Sequence, residues 1–255
     1  MAATMRMLLA AGALLLAGIQ VSLAAGGGAE LKSRSWPHGG PFGSFDYASV
    51  QRGFQVYSEV CAGCHSAKYL YYRNLRQIGL SEAEVKALAA EAMVMDGPND
   101  EGEMFERSGK PADPLPRPFA NDQAARAANN GSLPPDLSLI VKARIGHEDY
   151  IYSLLTGYAE PPAGTELREG MSYNPYFAGS QIAMAQPMED DAVEYADGTK
   201  ATTDQMAYDV VNFLAWASEP TLEARKSMGI KVVLFLLLFS VLAYVVKRKV
   251  WADLH

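Results

Sequence analysis

The sequence predicts a mainly α domain carried on one C-terminal transmembrane helix. Three observations predict it. Apolar residues recur at helical spacing before the chain's only two cysteines and again near residue 210, no stretch alternates strongly enough to build a large sheet, and residues 232–246 are uncharged and apolar.

Residues 1–24 combine Arg6, an apolar run from Met7 to Ile19 and the small residues Ser22 and Ala24, which is the pattern of a removable signal peptide. Residues 25–45 are rich in Gly, Pro and Ser and read as an irregular lead-in. From Asp46, an N-cap, Tyr47, Val50, Phe54, Tyr57 and Cys61 recur at intervals of three and four, predicting a helix over 46–61. Ser81 and Glu84 form a capping box for a second helix over 81–94, which takes in Met93 and, at its end, Met95. Pro98, Pro111, Pro114, Pro116 and Pro118 then interrupt regular structure.

After "SLPPDLS" a helix in two pieces is expected, 136–145 and 147–157, followed by a turn-rich stretch to residue 200 with a short hairpin around "MEDDAVEYADGTKATT". A last amphipathic helix, Thr203–Glu219, places Met206, Val210, Phe213, Leu214 and Ala217 on one face before Pro220 stops it. Ser227–Val246 spans about 30 Å as a helix, enough for a hydrocarbon core if Lys231 snorkels. Lys247, Arg248, Lys249 and Trp251 mark a cytoplasmic end. The expected division is therefore 1–24 signal peptide, 25–226 exported domain and 227–255 anchor with a short cytoplasmic tail.

The exported segment holds 28 of the 29 Asp and Glu but 17 of the 22 Lys and Arg, a net charge of −11. Such a surface excludes nucleic acid as a partner and suits a basic protein. Two acidic runs stand out: Asp96, Asp100, Glu101, Glu103 and Glu106, and then Glu189, Asp190, Asp191, Glu194 and Asp197.

Chemistry concentrates in "VCAGCHS", where Cys61, Cys64 and His65 make a C-x-x-C-H motif. That spacing lets two thiols add to porphyrin vinyl groups while the adjoining imidazole reaches the iron, the attachment of haem c. A zinc site would need a fourth ligand from His38, His147 or His255, which are scattered. A redox dithiol belongs at the start of a helix after a strand, whereas these cysteines end a helix. Export to an oxidising compartment also fits haem c. Helices before the motif and at the domain's end, with Gly53 permitting a close crossing and Phe54, Phe213 and Trp216 packing there, match the organisation of class I cytochromes c.

A thioether as sixth ligand raises the potential relative to a second imidazole. Met171, Met184 and Met188 all lie in irregular backbone before the last helix, and the residues alone do not separate them; Met206 reads as core, and His38 and His147 as surface or helix-end residues.

The stretches "RGFQVYSEVCAGCHS", "DGPNDEGEMF", "AARAANNGSLPPDLSLIVKAR", "EDYIYSLLTGY", "REGMSYNPYF", "IAMAQPM" and "WASEPTLEARKSMGIKV" occur in the order in which the cytochrome c1 family carries them, and the chain resembles that family from about residue 37 to its end. The resemblance implies one covalent haem c, Met184 as the ligand opposite His65, Arg144 at a haem propionate, and Tyr150, Asn129, Pro135, Leu154, Leu155 and Phe177 lining the pocket. It implies a subunit without bond-making chemistry of its own in a bacterial cytochrome bc1 complex, anchored in the inner membrane with its haem domain periplasmic. Its partners would be cytochrome b, a Rieske iron-sulfur protein as donor and a soluble or anchored cytochrome c as acceptor on the acidic surface. A membrane-anchored haem enzyme such as a peroxidase is the alternative, and would need an open or labile iron position.

Overall fold

A computed structural model describes residues 29–252. The signal peptide expected over 1–24, together with 25–28 and 253–255, lies outside the described residues. Helices dominate, as the sequence predicts: α1 (Tyr47–Val56), α2 (Glu82–Glu91), α3 (Asp122–Ala128), α4 (His147–Leu155), α5 (Thr203–Ser218) and α6 (Leu222–Val250). The only sheets among the described residues are two-stranded and antiparallel, β1 (Met93–Asp96) with β2 (Phe105–Ser108) and β3 (Ser172–Tyr173) with β4 (Gln181–Ile182).

The crossing of α1 and α5 organises the core. Asp46 caps α1 by accepting from the N–H groups of Ala48 and Ser49, and Thr202 caps α5. Gly53 faces α5 so closely that a Cβ on it would lie 2.0 Å from the Asp209 carbonyl oxygen. Around that point Asp209, fully buried, accepts from Ser49 Oγ (2.7 Å) and from Arg52 Nε and Nη2 (2.9 and 3.0 Å). Hydrogen bonding to the charge is what lets the carboxylate stay in the core. Phe213 lies 5.6 Å from Phe54 and 5.8 Å from Trp216, centroid to centroid, and Met206 is buried as expected.

Several expectations are corrected. The helix predicted to 94 ends at Glu91, and Met93 and Met95 lie exposed on β1; Arg107 of β2 pins Asp96 and Asp113, and Asn99 Oδ1 accepts from Glu101 and Glu103 to shape the hairpin's acidic loop. Residues 136–145 form turns instead of a helix, because Asp136 and Ser138 spend their side chains on local and cross-chain backbone N–H groups. The second piece is α4, which starts at His147 and ends at Leu155. No strands form over 188–203; Asp190 accepts instead from Thr203 N and Oγ1 at the start of α5. Helix α3, capped by Asn121, lies between the proline-rich stretch and "SLPPDLS", where the sequence reading named no element.

His38 is also corrected: it is 5% exposed, with Nε2 2.9 Å from Glu148 Oε1. The irregular lead-in it belongs to packs across the fold, Trp36 stacking on Tyr208 at 5.2 Å.

Helix α6 has one apolar window with a mean hydropathy of 2.5, none of it buried, and is long enough to cross a membrane. Its first turn is tied to the domain: Lys226 Nζ donates to the carbonyls of His38 (2.6 Å) and Gly43 (3.1 Å), Glu223 accepts from Phe45 N, and Arg225 pairs with Glu219. The bond from Arg225 holds Glu219 down to about 2 from the usual 4.5, burial opposing and Lys142 at 2.8 Å assisting. A depressed carboxylate contributes stability that is complete above its unfolded pKa and lost as pH falls through its folded one. Glu219→Gln should therefore be less stable than the parent at neutral pH, the gap closing between pH 4.5 and about 2. Denaturant titrations of both proteins across that window check this; a gap independent of pH would contradict it.

Candidate functional site

The C-x-x-C-H turn grows from the end of α1. There the helix widens into a π turn, Tyr57–Cys61, closed by Ala62 N to Tyr57 O at 2.8 Å. The N–H groups of Cys64 and His65 then both return to the Cys61 carbonyl, at 3.1 and 2.9 Å, which folds the five residues into one tight loop. Neither cysteine is in a disulfide, Cys61 being half-buried and Cys64 exposed. Burial, and after it the neighbouring Cys64, pushes the Cys61 thiol up to about 12. A redox dithiol is favoured by a depressed thiol pKa, the opposite direction.

His65 is oriented by one bond. Its Nδ1 lies 2.8 Å from the Pro135 carbonyl, to which Nδ1–H donates, leaving the Nε2 lone pair free. A second hydrogen bond that fixes tautomer and ring plane is what a metal-ligating imidazole requires. Burial lowers the His65 pKa, with the Pro135 bond and Asp136 opposing. Pro135 is held there by a staple between the chain after the motif and the "PPDLS" turn. Asp136 accepts from Ser66 Oγ (2.8 Å) and Lys68 N (2.9 Å), Ser138 Oγ accepts from Tyr69 N (3.1 Å), and Leu137 N donates to Ser66 O (2.8 Å). Burial would raise Asp136, but these bonds outweigh it and hold the carboxyl below its ordinary value.

A second group of expected residues lies on α4 and in the loop that follows it. Tyr150, Leu154 and Leu155 are half-buried on α4, as is Phe177 in the turn beyond β3. Arg144 is half-buried, and its guanidinium donates only to the adjoining Ala143 carbonyl, with no ion-pair partner among the described residues. A cation in that state fits an anionic carboxylate such as a propionate. Asn129 is placed differently: its Nδ2 donates to Ala125 O (2.7 Å), closing the end of α3. Met188 is 2% exposed within the core, whereas Met184 is half-buried and its carbonyl accepts from Tyr158 Oη at 3.0 Å. Burial pushes the Tyr158 phenol well up, so it stays a donor.

Two cavities of about 280 Å³ flank the motif, one lined by Cys64, Ser66, Arg117, Pro134 and Pro135 and the other by Phe54, Tyr57, Ala62 and Leu115. Neither of these two cavities is lined by Met184. No cluster of three His, Cys, Asp or Glu suited to a metal occurs among the described residues. Free thiols at the required spacing, an imidazole with Nε2 open, an unpaired arginine and half-buried apolar walls together fit a covalently attached haem. Sequence reasoning missed Asp136, Tyr158 and Asn174 as supports, and gave Pro135 only a lining role; "PPD" carried the one visible signal, a turn.

The sequence profile of the Cytochrome C1 family matches residues 36–254. A mitochondrial "Cytochrome c1 2, heme protein" from Arabidopsis thaliana is 53% identical over 227 residues, 89% of this chain and 74% of the relative. The corresponding protein of Saccharomyces cerevisiae is 51% identical over 228 residues, again 89% and 74%. A bacterial relative, "Cytochrome b/c1" of Bradyrhizobium diazoefficiens, is 46% identical over 270 residues, covering 97% of this chain and 39% of its own length. With a turn shaped for haem c and a family profile that spans most of its length, the chain belongs to the cytochrome c1 family.

Proposed function

We propose that the chain is an electron-transfer subunit of a cytochrome bc1 complex, attaching one haem c through Cys61 and Cys64 and ligating its iron with His65 and Met184. The observation that carries this reading is the His65 Nδ1 to Pro135 bond within the C-x-x-C-H turn, which prepares Nε2 as a ligand. The haem, when bound, supplies a one-electron iron couple. The protein does the rest. Arg144 offers its charge to a propionate, while Tyr150, Leu154, Leu155 and Phe177 keep water from the iron's surroundings and so tune its potential. Pro135 acts instead through the carbonyl that orients His65, and Asn129 through the end of α3 that it closes.

The division into signal peptide 1–24, periplasmic domain 25–226 and anchor 227–255 completes the proposal, with the tail beyond Lys247 cytoplasmic. In this arrangement the chain assembles with cytochrome b, accepts an electron from a Rieske iron-sulfur protein and passes it to a cytochrome c. Two relatives support the assembly by name, the "Cytochrome b/c1" and the "Cytochrome b-c1 complex catalytic subunit" of Candida albicans. A peroxidase, the other reading, needs an iron position that opens. Carbon monoxide or peroxide added to the purified reduced or oxidised protein should react poorly if Met184 fills it.

Acceptor docking is assigned to the acidic run after Met184. Asp190 and Asp197 are engaged in the fold, at the start of α5 and with Arg52, so the carboxylates of this run without a side-chain partner among the described residues are Glu189, Asp191 and Glu194. Neutralising those three should lower the second-order rate of acceptor reduction at low salt, where steering contributes about 10- to 10³-fold. The salt dependence should flatten, because screening at a Debye length of roughly 10 Å at 0.1 M has less charge to act on. Stopped-flow rates against ionic strength test this; an unchanged slope would return the run to plain solvated surface.

A further inference from the structure

We propose that Asn174 and Tyr158 are positioning residues that latch the Met184-bearing hairpin onto α4 and set how firmly the sixth iron ligand is held. The proposal rests on the reading of Met184 as that ligand.

The segment between Gly157 and Met188 has little to hold it. Its regular structure is β3 and β4, two residues each, paired Ser172 to Ile182 and Tyr173 to Gln181, and an isolated hairpin of that length is not stable. A disulfide cannot tie it, since the chain's only cysteines are Cys61 and Cys64. Side-chain bonds supply the tie. Asn174 is fully buried and uses every polar group it has. Its Nδ2 donates to the Leu154 carbonyl (2.8 Å) and its Oδ1 accepts from Tyr176 N (3.1 Å), while its own N–H donates to Ser180 O (3.0 Å) and its carbonyl accepts from Phe177 N (3.1 Å). Leu154 O is one of the last carbonyls of α4, reached otherwise only by the backbone just past the helix, Gly157 N lying at 3.4 Å. One buried amide therefore joins the end of the helix that carries Leu154 and Leu155 to the turn that carries Phe177.

Tyr158 acts at the other end, its hydroxyl on the carbonyl of Met184 itself. Between the two, the Tyr176 ring packs on Gly157 so closely that a Cβ there would lie 2.3 Å from Cδ2. Lys32 covers this corner, donating to Thr156 O (2.9 Å) and Oγ1 (2.8 Å) with its charge 5.7 Å from the Tyr176 ring centre. Loss of either latch bond leaves Met184 in place chemically but frees its backbone, so the thioether competes less well for iron.

The test uses the full-length, haem-loaded protein in detergent and imidazole as a competing ligand for the ferric iron. Tyr158→Phe removes one hydroxyl and keeps the ring; Asn174→Ala removes the amide. Tyr158→Phe should raise the apparent imidazole affinity about tenfold, the effect of one lost hydrogen bond of ordinary net strength, Asn174→Ala, which loses two, by at least as much, and both should weaken the thioether-to-iron charge-transfer band. The control Tyr173→Phe should leave both unchanged. A merely structural role would lower the melting temperature without moving the imidazole titration. If Asn174→Ala does not fold, Tyr158→Phe alone decides. Parental imidazole affinity in Tyr158→Phe overturns the latch. Met184→Leu separates the two claims: if imidazole binding in that variant also stays parental, it is the ligand assignment that has failed.

Discussion

Replacing Met184 with Leu leaves the haem covalently attached, abolishes the thioether-to-iron charge-transfer band and lowers the reduction potential by a few tenths of a volt, within the roughly 0.8 V that axial ligation commands. Leucine has nearly the same volume but no lone pair, so little else changes. The functional consequence is large because one-electron equilibria move tenfold per 59 mV; a fall of about 0.2 V makes electron delivery to the haem more than roughly 10³-fold less favourable. Met188→Leu is a conservative change in the core and should keep both band and potential, as should Met171→Leu in the turn before β3. Redox titration and near-infrared spectra of the three variants settle the ligand. Survival of the band in Met184→Leu, with its loss in either control, would assign the iron to a different methionine.

Gly53→Ala should be the most damaging single methyl in the fold. On propensity alone Ala gains about 1 kcal/mol over Gly within a helix. Sterics decide against it: the new Cβ would lie 2.0 Å from Asp209 O, 2.6 Å from its carbonyl carbon and 2.8 Å from Phe213 Cβ. Two of those atoms are backbone and cannot rotate away, so α1 and α5 must separate. Separation loosens the bonds of Ser49 and Arg52 to the buried Asp209 as well as the Phe54–Phe213 contact. Overpacking of this kind costs about 3 kcal/mol or more, and at about 2–4 °C per kcal/mol for a domain of this size the melting temperature should fall by roughly 6–12 °C. Because α1 ends in the haem turn, the yield of haem-loaded protein should fall too. Thermal denaturation followed by far-ultraviolet circular dichroism measures the first effect; an unchanged midpoint would mean that the crossing is looser than the structure shows.

What could be read from sequence was local. Asp46, Ser81 and Thr203 marked helix starts because caps and periodicity act within a few residues. Gly53 and the C-x-x-C-H motif were legible because each pattern has a short-range physical reason. What depends on distant partners was not. His38 is buried where Phe45 packs on it and Glu148, 110 residues on, meets it, and β1 exists because Phe105–Ser108 pairs with it. Asp136 looks like a helix-starting residue until its bonds to Ser66 and Lys68, some 70 residues away, are seen. The same holds for the site. The thiols and the imidazole announced themselves, while Tyr158 and Asn174 gave no signal, since a tyrosine or an asparagine becomes a support only through what the fold sets beside it.

The central claim, that this chain relays electrons within a bc1 complex, is tested most directly by rapid mixing of the membrane complex, purified through a tag on this chain, with quinol. The account predicts that its haem is reduced within turnover when cytochrome b and the Rieske protein copurify, and that selective removal of the Rieske protein stops reduction by quinol while ascorbate still reduces the haem. Equally fast reduction by quinol without the Rieske protein would contradict it.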